Sequence, residues 1–301
     1  MGKALSVIAL CCMGVLAAVN VSADTTTVLG EPETGMEGHS IAEEKSFLNR
    51  LGEKVAVNYF GIYRGASLTN FGSSLQPQVD GTDDPTNPQS LESSLHALYK
   101  VNKTWNAGIL AHFYYYPIGN PVGTGQDLKM LDPSLLVTAP SIFTSGGLKL
   151  GFRFMAQLPI SSSDDLQSRN VALGLTPMFI LNYDVPHTRL TVGMVGYFKQ
   201  YITTSSSPAD VRTYKAYVAP NLSYQVSKTF AATLWVDWIQ AVRSRGTPFF
   251  GGAENYYMDI EPGFNWDITN NISINPILNL YPANLSWAST SIQATIVART
   301  G

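Results

Sequence analysis

Residues 95–115 read LHALYKVNKTWNAGILAHFYY. Leu95, Ala97, Tyr99 and Val101 take every second position up to Asn102-Lys103-Thr104. Trp105, Ala107, Ile109, Ala111, Phe113 and Tyr115 then alternate away from it. Successive strand side chains point to opposite faces, so a period of two marks a strand with one apolar face. Two such runs around a tight polar turn predict a β-hairpin.

The signature recurs on both sides. Val55 to Tyr63, Leu148 to Leu158, Val171 to Tyr183 and Leu190 to Phe198 alternate, as do Tyr214 to Tyr224 and Phe230 to Trp238. Tyr256 to Trp266, Ile272 to Leu280 and Ile292 to Ala298 complete the series. With a weaker strand near Leu128 to Val137, the expectation is an all-β fold, a closed antiparallel barrel of about twelve strands. The links at 102–104, 185–188, 227–228 and 269–271 are short. Those at 65–90, 117–127, 161–168, 203–211, 244–254 and 282–288 are longer. A further link, 138–147, reads as a loop and is long for its end of the barrel. Pro133, Pro177, Pro220 and Pro262 recur every 42 to 44 residues, each in an alternating stretch. Proline has no ladder donor, so its recurrence predicts a tier of bulges or bends.

Composition decides between a soluble and a membrane barrel. The chain has 301 residues, of which only 14% are charged, against about 25% in soluble domains. Mean hydropathy is +0.03, too polar for a helical membrane protein. Net charge is −3, which supplies no basic footprint for nucleic acid. Most strands run about 9–12 residues, the length a tilted strand needs to cross hydrocarbon. Trp105, Phe152, Phe198, Tyr214, Phe230, Trp238 and Trp266 stand near strand ends, where outer-membrane barrels carry aromatic girdles. Short turns then face the periplasm and long loops the exterior.

The N-terminus reads as an export signal. Lys3 precedes an apolar run from Ala4 to Val19, and Val21-Ser22-Ala23 forms a small-residue cleavage site. Cys11 and Cys12 fall inside that run, so the mature chain holds no thiol chemistry. Residues 24–53 read as a periplasmic tail or a small plug, with Ser40 and Glu43 capping a short helix. The division is 1–23 signal peptide, 24–53 tail or plug and 54–301 barrel.

Parity assigns a second, charged face. Arg64, His96, Lys100, His112, Lys149, Arg153, Lys199 and Lys215 supply bases to it, and Asp132, Asp237, Asp259 and Glu261 supply acids. Intramembrane charge is costly unless paired or hydrated. Two readings stay open: a salt-bridge network filling a narrow lumen, or a hydrated pore whose opposed charges orient a solute. Neither a metal-ligand spacing nor a cofactor motif is present. Ser94 stands two residues before His96, but no third group is evident to orient the imidazole. No enzyme is expected.

The hairpin Tyr99-Lys100-Val101-Asn102-Lys103-Thr104-Trp105-Asn106-Ala107-Gly108 resembles those of Gram-negative outer-membrane transport barrels. Strands led by proline, such as Thr176-Pro177-Met178-Phe179, are similar to the transporters of the phenol meta-pathway type. Such barrels usually end on an aromatic residue that the assembly machinery reads; this chain ends Val297-Ala298-Arg299-Thr300-Gly301. The resemblance implies a channel or transporter for small polar or amphipathic solutes. The alternative is a structural or surface-interaction barrel with an occluded lumen. Its expected surroundings are outer-membrane lipid and lipopolysaccharide, the barrel-assembly machinery and a small solute.

Overall fold

The computed structural model describes residues 54–119, 127–160, 170–207, 212–237, 239–244 and 258–300. The expected signal peptide and the tail or plug helix lie outside them, as does most of loop 244–254. Among the described residues there are sixteen strands and no helix. They are β1 (Val55–Ser67), β2 (Leu75–Pro77), β3 (Asp83–Pro88), β4 (Ser90–Lys100), β5 (Asn106–Tyr115), β6 (Leu128–Met130), β7 (Ser134–Ser145) and β8 (Leu148–Gln157). There follow β9 (Val171–Asp184), β10 (Leu190–Thr203), β11 (Arg212–Gln225), β12 (Phe230–Asp237), β13 (Ile239–Ser244), β14 (Asp259–Asp267), β15 (Ile272–Asn279) and β16 (Ser291–Arg299).

β2 and β3 form a small hairpin inside the link from β1 to β4. β6 and β7 are two pieces of one crossing on β5, and β12 and β13 two pieces of another on β11. The result is a closed antiparallel barrel of twelve crossings. β16 pairs back on β1, from Asn58↔Arg299 to Arg64↔Gln293.

Turn chemistry explains the tight end. In the 101–105 turn the Asn102 carboxamide oxygen accepts the N–H groups of Thr104 and Trp105, at 2.8 and 2.9 Å. β7 runs to Ser145 and turns through Gly146 and Gly147, whose φ values are +55° and +86°. Two positive φ values in a two-residue link are what a type I′ hairpin requires, and glycine meets them without strain. The expected loop at 138–147 is therefore corrected: it is strand plus a two-residue turn. The alternation fails there because the register slips between Ala139 and Phe143, around Pro140.

The four recurring prolines act differently from one another. Pro133 lies in the kink between β6 and β7. Pro220 pairs with Met194 of β10, but on its other side the register slips by one residue between Asn221↔Trp235 and Val218↔Ile239. That is a bulge. Pro177 and Pro262 keep the register and pair on one side only, with Phe154 and Leu234. Each proline thus turns its missing N–H to the neighbour it does not bond.

Directly opposed residues share a face. One face carries Ile109, Leu135, Phe179, Met194, Leu222 and Phe264, all exposed. Tyr99, Tyr183, Tyr224 and Trp266 continue it to the tight-turn end. Ring contacts tie neighbouring strands on it, as at Phe152–Phe179 (5.2 Å) and Phe230–Phe264 (5.1 Å). A closed ring with an apolar outer belt and an aromatic rim is solvated by a bilayer, not by water.

The inner wall as a candidate functional site

Register places Arg64, His96, His112, Arg153, Lys199, Lys215, Asp237, Asp259 and Glu261 on the other face. They separate into groups. Glu92 on β4 joins the first: its carboxylate meets Arg64 Nε at 3.7 Å and His112 Nε2 at 3.1 Å. Arg64 also donates to Gln293 of β16 at 3.3 Å, across the closing seam. Arg153 stands on β8 opposite Thr138 and Met178, with its Nε buried and without a hydrogen-bond partner.

A basic and aromatic group follows on β10 and β11. Lys199 and Lys215 oppose each other directly. Lys199 Nζ donates to Gln157 at 2.5 Å and sits 4.9 Å from the Tyr201 ring centroid. Lys215 lies over Tyr197, which stacks on Tyr217 at 4.9 Å. The Tyr217 hydroxyl donates to Asp237 at 2.5 Å. Asp237 opposes Asp259, and Trp235 opposes Glu261. The Asn279 amide donates to both Asp259 (2.7 Å) and Glu261 (3.2 Å).

Three expected members sit elsewhere. Lys100 ends β4 and is exposed at the tight-turn rim. Lys149 pairs at 3.4 Å with Asp184, both more than half exposed, at the same rim. Asp132 is buried in the kink between β6 and β7.

The inner wall is not uniformly polar. Leu98, Leu110 and Leu136 are buried on it, and Met155, Met178, Ile180 and Val195 extend the apolar sector across β8 to β10. Opposite lies a cavity of about 460 Å³, bounded by Phe60, Ile62, Trp235, Glu261, Asn265, Asn275 and Thr295 among others.

Ser94 Oγ lies 3.0 Å from His96 Nε2. Glu92, the nearest carboxylate in sequence, goes to His112 instead. Among the described residues nothing hydrogen-bonds the other ring nitrogen of His96, so the pair lacks the orienting group that activates a serine. Sequence reading missed Glu92, because β4 begins at Ser90 rather than at Leu95. Extending the alternation backwards through Ser94 and Glu92 would have found it. Gln157, Tyr217 and Asn279 carried no comparable signal, since their importance lies only in what they touch.

No family model matches the chain, and no curated protein matches it. Among solved structures it is similar to an outer-membrane channel from Pseudomonas putida F1, at 12% identity and a TM-score of 0.49 over 82% of this chain and 94% of that one. It is similar to the NanC porin, at 10% identity and 0.45 over 81% and 98%. It is also similar to outer membrane phospholipase A from Escherichia coli, at 9% identity and 0.37 over 85% and 97%. None of the three is near enough to lend this chain a cargo or a reaction, and none bears on the likeness to phenol meta-pathway transporters.

Proposed function

We propose that this barrel is a passive outer-membrane channel for small polar or amphipathic solutes, exported from a Gram-negative cell after cleavage near Ala23. The observation that carries the reading is the inversion of faces. Exposed apolar side chains crowd the outside, while charges and amides face a cavity of about 460 Å³. Water is the natural occupant of such a cavity, and a solute follows water. The two sectors of the wall suit an amphipathic guest: Leu136, Met178 and Ile180 on one side, Asp237, Asp259 and Glu261 on the other. Arg64, Arg153, Lys199 and Lys215 supply the positive half of a mixed field, with the imidazoles of His96 and His112 beside them, that orients a dipolar molecule in transit. Lys100, Lys149 and Asp132 would act only at the margins of that path.

Purified, folded protein inserted in a planar bilayer tests this. Stepwise conductance is expected. Protein that inserts and never conducts would sink it. A second reading has its own support, because the Arg64–Glu92–His112 cluster and the Tyr197–Tyr217 stack both project into the lumen. In that reading the lumen is closed and the loops 72–90 and 244–254 bind a partner or phage. A measured pore radius separates the two.

A further inference from the structure

Asp237, Asp259 and Glu261 each present a carboxylate oxygen, and the three oxygens lie within 4.8 Å of one another. Three like charges so close repel unless a positive charge lies among them. The charge of Arg64 reaches all three and that of Lys215 reaches Asp237, but among the described residues neither comes within ion-pair distance of any of them. An independent feature points to what is missing. Asp259 is only 4% exposed, and among the described residues nothing donates to its Oδ1. Asn279, 2% exposed, gives its amide protons to Asp259 and Glu261 while its own Oδ1 is also unpartnered. Every unsatisfied atom here is an oxygen acceptor. Two buried acceptor atoms left unsatisfied beside three clustered carboxylates call for a ligand that only attracts oxygen, which is a hard cation.

We propose that Asp237, Asp259 and Glu261 form a divalent-cation site of calcium size on the inner wall. Oxygens that share one Ca²⁺ stand about 2.3–2.6 Å from it, so they are at most roughly 5 Å apart. The spread of these three meets that limit. Mg²⁺ demands a tighter octahedron and keeps its water, so it fits a loose set of carboxylates less well. β12 contributes Asp237 and β14 contributes Asp259 and Glu261, so the ion bonds two adjacent strands side by side. Glu261 also lines the cavity, which gives the ion a polar route in. The site does not require the barrel to conduct, so it stands or falls apart from the channel reading.

Trp235 opposes Glu261 and Tyr217 bonds Asp237, which places two ultraviolet donors beside the site. Folded full-length protein in detergent is titrated with Tb³⁺, and sensitised luminescence is read. Emission is expected to saturate and to be displaced by Ca²⁺ far better than by Mg²⁺ or ethylammonium. Asp259→Asn and Glu261→Gln are each expected to weaken Tb³⁺ binding about tenfold or more, since affinity follows ligand charge. Asp84→Asn, in the β2–β3 hairpin, is expected to change nothing. Heat-modifiable gel migration confirms that each variant is folded. Absent emission in the wild type, equal displacement by ethylammonium, or folded Asp259→Asn and Glu261→Gln proteins that bind as before would each overturn the site.

Discussion

Phe179→Arg tests which face of the sheet meets lipid. Phe179 is 49% exposed and lies four residues from Tyr183 of the aromatic rim. At about 3.3 Å per residue and a tilt near 45°, it sits roughly 9 Å inside the rim. The apolar belt of such a barrel is about 25 Å tall, so Phe179 lies close to its middle. An arginine there costs about 2–4 kcal/mol. Losing the ring contact with Phe152, whose centroid is 5.2 Å away, adds about 0.5–1.5 kcal/mol. The variant should lose roughly 2.5–5.5 kcal/mol of stability in all. Thr295→Arg is the partner experiment, because Thr295 faces the cavity in mid-strand. There the guanidinium reaches water and the cost should stay below about 1 kcal/mol. Reversible urea unfolding in lipid vesicles, followed by tryptophan fluorescence, reads both. If Thr295→Arg costs as much as Phe179→Arg, or if Phe179→Arg is neutral, the inside and outside have been assigned wrongly.

Other consequences can be checked with the same protein. Gly263 has no room for a side chain, since a Cβ would overlap Ile277 Cγ2 and the Pro276 carbonyl oxygen. Gly263→Ala should cost about 1–3 kcal/mol by overpacking, read as a lower urea midpoint. Phospholipid in mixed micelles should show no turnover; hydrolysis lost in Ser94→Ala would mean that Ser94 and His96 do chemistry after all. In the loop outside the membrane, the Thr82 hydroxyl and N–H bond Asp80 Oδ1 at 2.7 and 2.9 Å and hold its carboxyl below the usual range. A depressed folded-state value means the turn is supported above the ordinary aspartate range and loses support as acid protonates the carboxylate. The protection factor of the Thr82 amide, its exchange relative to the intrinsic rate at the same pH, should therefore be largest at neutral pH and fall in acid, whereas in Asp80→Asn it should be low and should not change with pH.

The hairpins were legible because one physical constraint governs them. A strand between lipid and water must alternate, and Leu95 to Tyr115 does so around an Asn-led turn. β7 was not, because Ala139-Pro140-Ser141 carries a register slip that erases the period. The inner wall was legible as a face and illegible as groups. Parity puts Asp237, Asp259 and Glu261 on one side, but only the pairing of β12 with β14 makes Asp237 and Asp259 neighbours. Likewise the period of two cannot say that Arg64 meets Glu92 from another strand. The apolar sector around Leu136 was illegible for a related reason: a leucine on the inner face leaves no mark in an alternation that only separates two faces.

The closing seam has a consequence for how the molecule comes to exist. Val57 and Thr300 are 243 residues apart, yet the Val57 N–H bonds the Thr300 hydroxyl at 2.7 Å, and Val57 O accepts the Thr300 N–H at 3.0 Å. Neither edge of the sheet has its mate until almost the whole described chain has been made. Loop closure over that span costs more entropy than any hairpin, and contacts so remote in sequence form late and slowly. Until then β1 and β16 expose unpaired N–H and C=O groups that hydrocarbon cannot satisfy. The two edges must therefore meet before the ring can settle in hydrocarbon, so closure and insertion are coupled steps rather than successive ones.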